Sequence, residues 1–296
     1  MGFTPTGPQS PSGNVLAGIS RAVESDPAFL ALAAGLVSDL ELIRIGGGNR
    51  YWQLEQLGLD QRHPYMRRAA VVLKLIEEAE HKSVLALQHL MRQHRFGDWV
   101  RRNEGVGEKQ AGRLLAVIGD PYIRPDLILS DGSIDPSRPR TVSELWAYCG
   151  FHVLPAHHAA NDAHPSTVGG NQAGHPGQTI VGTQMKCAGV APTRKRGQRG
   201  NWSTEARSRT RLIAESCIKR YGSPFRPVYD EGREKYADAV HTSPCVRCGP
   251  KGSPALVGSP LSDGHKHARA LRLVAKEILK SLWLEGKRLH EVDTRE

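Results

Sequence analysis

Glu104-Gly105-Val106-Gly107-Glu108-Lys109-Gln110-Ala111-Gly112-Arg113-Leu114-Leu115-Ala116-Val117-Ile118-Gly119-Asp120-Pro121 is the stretch on which the fold class turns. After the Gly-Val-Gly turn, Ala111, Leu114, Leu115 and Ile118 recur at i, i+3, i+4 and i+7, the spacing of one apolar helix face, and Gly119 with Asp120-Pro121 ends the run. The glycines let the backbone turn tightly and come close to a surface. The first N–H groups of the helix can then point at a phosphate oxygen, with the helix dipole behind them. Lys109 and Arg113, four apart, read as flanking contacts to the same phosphates, so that Gly105, Val106, Gly107, Lys109 and Arg113 form a candidate DNA-contacting hairpin. A Gly-x-Gly also serves as a plain helix–helix turn; the basic flank and the charge of the whole chain favour the contact.

Outward from the hairpin, the pattern is mainly α. The first 12 residues (Gly, Pro, Ser, Thr) carry no periodicity and read as a disordered tail. Asp26-Pro27 reads as a cap and first turn, and Phe29, Leu32, Ala33, Leu36, Leu40 and Ile43 keep helical spacing until Gly46-Gly47-Gly48, which reads as a stop. From Pro64 to about Phe96, Val72, Ile76, Ala79, Ser83, Ala86 and Leu90 alternate four- and three-residue steps. That is a short coiled-coil seam able to pair with the first helix or with a second chain. Thr141-Val142-Ser143-Glu144 has the capping-box form and opens a helix that Gly150 ends. From residue 151 to about 200, Gly, His, Asn, Gln and Pro dominate, and the segment reads as a long mobile loop. Helical patterning returns after Trp202 with a Ser203 or Thr204 cap, and again from Ser262 to about Leu289. The expected architecture is a helical bundle with a helix–hairpin–helix element (residues 101–150) between a helical region (13–100) and a basic helical region (201–290), interrupted by the long irregular insertion.

Charge narrows the function class. Lys and Arg outnumber Asp and Glu by 40 to 30, a formal charge of +10 that points to a polyanionic partner. The longest nearly unbroken apolar run, Ala28 to Val37, falls far short of a bilayer span and no charged-then-apolar leader opens the chain. A cytoplasmic, nucleoid-associated protein with no membrane partner is therefore expected. Between Lys186 and Arg226, Lys186, Arg194, Lys195, Arg196, Arg199, Arg207, Arg209, Arg211, Lys219, Arg220 and Arg226 face only Glu205 and Glu215. Solvated surfaces usually mix signs, so this bias favours phosphate neutralisation by Arg194, Lys195, Arg196, Arg199, Arg207 and Arg211. Lys266, Arg269, Arg272, Lys276 and Lys280 lie opposite the apolar stripe of the last helix and extend the footprint or form a solvated face. Double-stranded or branched DNA is the expected partner, with structured RNA open on charge alone.

Five cysteines make an odd set, against a secreted disulfide framework. Cys245 and Cys248 form a Cys-x-x-Cys knuckle with His241 before and His265 and His267 after it. His241, Cys245, Cys248 and His265, with His267 as substitute, would complete a tetrahedral structural zinc site, and a reduced thiol pair is the alternative. No nucleotide cofactor motif is evident. The polar loop carries His152, His157, His158, Asp162, His164 and His175, which read as solvated side chains.

Taken together, Gly105 to Gly107 with Leu114 to Pro121, Thr141 to Gly150, Arg196-Gly197 with Arg209, Arg211, Leu212 and Ala214, and Ala268 to Trp283 resemble the C-terminal domain of a family of bacterial insertion-sequence transposases. These are RNA-guided recombinases with an RNase H-like N-terminal domain and a serine-bearing C-terminal domain. The resemblance covers roughly residues 66–286, broken by the loop. The chain is also similar to standalone helix–hairpin–helix or transposase-like proteins of actinobacteria and their phages. It implies DNA recombination as an alternative activity, alone or with a separate RNase H-like partner. The four acidic magnesium ligands of the family have no counterpart in the residues before Pro64, and the serine nucleophile falls nearest Ser166, without the family's Ser-Gly pair.

Overall fold

A computed structural model describes residues 27–128, 131–153, 191–192, 200–250 and 253–293. Among these the chain is mainly helical, with eight helices and four two-residue strands. Helices α1 (Pro27–Gln56) and α2 (Pro64–Gln93) run side by side in opposite directions, joined by a turn in which Gly58 takes a φ of 86°. The Gly46-Gly47-Gly48 run does not stop α1. A Cβ on Gly47 would come within 2.6 Å of Leu73 Cδ2, so this glycine instead lets the two helices approach closely, and tertiary packing overrides its low helix propensity. The expected α2 seam holds only in part. Leu90 is buried and Ile76 and Ser83 are half-buried, but Val72, Ala79 and Ala86 are exposed, while Met66, Glu80, Leu87 and Met91 are buried beside them. Leu32, Leu36, Leu42 and Trp52 of α1 and Val71, Val72 and Leu75 of α2 leave an apolar face uncovered.

Short α3 (Gly97–Arg102) leads through the Asn103–Gly107 hairpin into α4 (Glu108–Ile118). This helix packs on α1, α2, α3 and α6 (Thr204–Cys217), and its Ala111, Leu114, Leu115 and Ile118 sit in the middle of the core. A Cβ on Gly112 would come within 3.2 Å of Leu87 Cδ1 and 3.8 Å of Leu30 Cδ1, so the bare glycine leaves room for these leucines. Beyond α4, β1 (Ile123–Arg124) pairs antiparallel with β4 (Arg138–Pro139), and β2 (Leu127–Ile128) with β3 (Ile134–Asp135), a nested ladder at the bundle's edge.

Helix α5 (Val142–Tyr148) starts with the reciprocal cap its sequence announces. Thr141 Oγ1 accepts from Glu144 N at 3.2 Å, and Glu144 Oε2 accepts from Thr141 N at 2.7 Å. Ser203 caps α6 by accepting from Ala206 N at 3.1 Å. After α7 (Arg226–Lys235), which the sequence reading did not resolve, a looped segment leads to the 31-residue α8 (Asp263–Asp293). Ala270, Leu271, Val274, Ala275, Ile278, Leu279 and Leu282 form its buried stripe, packed on α5, α6 and α7. Tryptophan N–H groups tie the bundle to α8: Trp99 donates to Ser281 Oγ and Trp146 to the Lys276 carbonyl, each at 3.0 Å, while from α8 Trp283 donates to the Arg140 carbonyl at 2.8 Å. Among the described residues no helix is long and apolar enough to cross a membrane. Residues 1–12 and the bulk of the 151–200 segment lie outside the described residues.

Candidate metal centre and nucleic-acid interface

The hairpin faces inward more than its sequence suggests. Gly105 has a φ of 95°, and a Cβ there would meet Cys217 Cα at 2.7 Å, so the residue serves close packing against the end of α6. Val106 is buried in the core, and Gly107 alone of the three is exposed, as the N-cap of α4. The Glu108 carboxyl sits below its usual range, held down first by its own backbone N–H and then, against a burial penalty, by Arg92, which lies 3.1 Å away. An acid of the chain therefore already occupies the α4 N-terminus.

The two basic residues assigned to the hairpin are corrected by the packing. Arg113 is only 2% exposed, with its guanidinium 2.7 Å from Glu41 Oε2 and 2.9 Å from Ser38 Oγ. Lys109 reaches Glu41 at 3.5 Å and Glu80 at 3.7 Å, and Glu80 also pairs with Arg44. A helix surrounded by α1, α2, α3 and α6 has little outer face. Arg113 points into the bundle and cannot touch a phosphate; Lys109 is committed to two carboxylates. Burial pushes the Glu41 carboxyl up, but the Arg113 bond and the charges of Arg113 and Lys109 outweigh it and hold the group below its ordinary value.

The second group of candidate residues does come together, although its histidines are not at a standard zinc spacing. Between α7 and α8, isolated antiparallel bridges pair Val240 with Pro260 and Cys245 with Ala255. This brings His241, Cys245, Cys248 and His265 together, their four ligand atoms within 4.8 Å of one another. Cys248 Sγ lies 3.4 Å from His265 Nδ1 and 2.8 Å from Ser262 Oγ, and that Ser262 contact comes first in holding the Cys248 thiol below its usual range. His241 is 4% exposed, and its Nε2 has no hydrogen-bond partner among the described residues. A buried ring nitrogen without a partner is costly unless something accepts its lone pair, and a metal ion does so. Gly249 completes the knuckle, since any Cβ there would collide with the Ser253 carbonyl. The substitute ligand drops out: His267 Nδ1 pairs with the Tyr229 hydroxyl at 2.7 Å, away from the quartet. Two thiols and two imidazoles fit a tetrahedral, closed site with no position for a reacting water.

Beside this loop, α6 and α8 form a cleft whose two walls come from separate basic stretches of the sequence. Arg207 and Arg211 come from α6, Arg269 and Arg272 from α8, and Arg247 from between the two ligand cysteines. The Phe151 ring lies under Arg207 at 6.0 Å and Arg272 at 5.8 Å, and the Lys276 ammonium sits 3.8 Å from the Trp146 ring centroid. Burial first, then the facing Arg207, lowers the Arg272 guanidinium; burial, then Arg211, does the same to Arg207; burial, then Arg272, lowers Lys276. Among the described residues, Arg211 alone of the cleft arginines has a carboxylate partner, Glu215 at 2.9 Å. Helix residues some sixty positions apart in sequence thus make one cationic surface, which periodicity within either helix does not reveal.

The remaining assigned residues divide simply. Arg194, Lys195, Arg196, Arg199 and the candidate nucleophile Ser166 lie outside the described residues, as do His157, His158, Asp162, His164 and His175. Burial raises the Cys149 thiol to about 12 and the Cys217 thiol to about 11, which leaves neither a thiolate at neutral pH. Fold and sites together define a mainly helical protein with a two-cysteine, two-histidine ligand cluster beside an arginine-lined cleft. Compared with known proteins, the chain matches no family model, no curated protein and no solved structure.

Proposed function

We propose that the protein binds duplex or branched DNA through its phosphates along the α6–α8 cleft, with a structural zinc ion in the Cys/His cluster fixing the loop at its side. The observation that carries this reading is the charge balance of the cleft: Arg207, Arg269, Arg272 and Lys276 line one surface with no carboxylate partner among the described residues. Unpaired, partly buried cations repel one another, and an external polyanion relieves that repulsion while releasing its own counterions. Arg194, Lys195, Arg196 and Arg199, outside the described residues, come a few positions after Ala191 in sequence and add to the basic bias of this part of the chain. The zinc ligands are His241, Cys245, Cys248 and His265, and the ion supplies structure rather than chemistry.

Binding to fluorescent duplex, four-way junction and structured RNA across a salt series tests the reading. It expects tight, salt-steep binding to duplex or junction, and a salt slope that shrinks when Arg269→Gln or Arg211→Gln removes a charge. Preference for RNA, or no binding, overturns it. Elemental analysis of the purified protein, with Cys245→Ser for comparison, tests the metal, and a metal-free wild type removes zinc from the proposal. The uncovered apolar face of α1 and α2 is where we place a second copy of the chain.

A further inference from the structure

We infer that the arginine-lined cleft ends in a pocket for a terminal phosphate group, and that loading of the neighbouring metal cluster sets its affinity by holding Arg247 in place. That the phosphate belongs to the end of a nucleic-acid strand rests on the reading above; that the pocket takes a phosphate does not.

The pocket encloses about 280 Å³, with Arg207, Arg211, Arg247, Arg269, Arg272 and His265 around it and Phe151 in its wall. Five guanidiniums converge, and Glu215 answers only one of them among the described residues. One passing phosphodiester brings a single negative charge and is flanked by sugar on both sides, so it rides across a concave mouth. A phosphomonoester has no second sugar and three terminal oxygens, and its charge is close to two at neutral pH. It can enter the pocket and accept paired N–H donors from more than one guanidinium. The aromatic wall orients two of these groups. Arg207 and Arg272 both stack on Phe151, and Arg272 also donates to the His152 carbonyl, so their forks are positioned before any ligand arrives. Preorganised donors bind more tightly than donors that must be ordered by the ligand.

Arg247 is the exception, an exposed side chain on a loop rather than a helix. Its position depends on its neighbours: Cys245 and Cys248 lie on either side and His265 shares the pocket wall. Without a metal ion, the Cys245 to Ala255 bridge is the main backbone tie on this segment. With two thiolates and His265 coordinated to one ion, the segment carrying Arg247 is pinned to the first turn of α8. Metal loading therefore fixes in place the fifth donor group of the pocket, Arg247, which otherwise hangs on a loop.

The test compares blunt duplexes with phosphorylated and with hydroxyl ends by fluorescence anisotropy, and titrates inorganic pyrophosphate by calorimetry. It uses the metal-loaded full chain, the Arg247→Gln and Arg269→Gln variants, and the wild type stripped by a chelator. Circular dichroism confirms that each sample remains folded. Phosphorylated ends should bind about tenfold more tightly, pyrophosphate should compete, and the preference should fall in both variants and after stripping. Equal affinity for the two kinds of end, with pyrophosphate failing to bind, overturns the pocket and leaves general DNA binding standing. Pyrophosphate binding that Arg269→Gln abolishes, in a protein that holds no duplex, keeps the pocket and removes the nucleic acid. A preference unchanged by stripping and by Arg247→Gln overturns the link to the metal.

Discussion

Two groups of basic side chains in this molecule differ in what answers them. Around α4, Lys109, Arg113 and Arg44 are matched by Glu41 and Glu80, and the set ties the α1–α2 pair to the rest of the bundle. Between α6 and α8, Arg207, Arg269 and Arg272 face one another with no acid among the described residues between them. Both groups read alike in sequence, as arginines and lysines at helical spacing near glycines or apolar stripes. Their partners decide their roles. A cation whose carboxylate arrives from another helix of the same chain has a structural task, and one left without it is free to hold an anion from outside.

The strongest test of this contrast is Arg113→Ala. It strips Glu41 of its closest cation and leaves a cavity in the core, which should cost about 2–3 kcal/mol, less than the roughly 3–5 of a fully buried pair because Glu41 is 28% exposed. Thermal unfolding should fall by several degrees while the folded protein keeps its DNA affinity. Lost affinity at an unchanged melting temperature would return Arg113 to the interface. Gly105→Ala should come next, at about 1–3 kcal/mol, since it combines a positive φ with the approach to Cys217 Cα. Its effect should also appear in stability and not in the binding of the folded fraction.

In the cleft the signs reverse. Arg269→Gln should leave the melting temperature nearly unchanged and lower the salt slope of DNA binding by about one, and a change in stability without a change in slope would break the comparison from that side. Acid separates the two regions without mutation. The lowered Glu41 carboxyl contributes stability that is fully present above its ordinary value of 4.5 and is lost as pH falls through its folded value. The cap of α5 follows the same rule over a wider window, because the bond from Arg138, then that from the Thr141 backbone, hold Glu144 down to about 2. Denaturation followed over acid pH should show a loss of stability with no matching loss of anion binding by the folded fraction. The smallest effect is expected from Val72→Glu with Leu36→Glu on the uncovered face, where sedimentation should shift a dimer to monomer with little change in unfolding.

Much of this was legible in the chain itself. Capping residues Thr141, Glu144 and Ser203 act locally, so their helices start where the sequence says they should. The candidate ligand quartet was legible because Cys-x-x-Cys and its flanking histidines lie near one another in sequence, and the Tyr229 hydroxyl takes up the substitute, His267. What misled were features whose meaning depends on distant chain. Gly47 looks like a stop until Leu73 is seen against it. Arg113 looks like an outer residue until α1 is laid across α4. The cleft joins arginines of α6 and α8 through a contact that neither helix's own pattern encodes.

His265 lies in the first turn of α8, the longest helix of the described chain. Starting a helix is its slow and unfavourable step, because the opening turn fixes several residues for a single hydrogen bond. A metal ion coordinated by His265, as proposed above, would hold that opening turn in advance and act as a seed from which the 31 residues of α8 can wind toward the core. Refolding in the presence of zinc should then outpace refolding without it, and hydrogen exchange in the stripped protein should rise first at the Asp263 end of the helix.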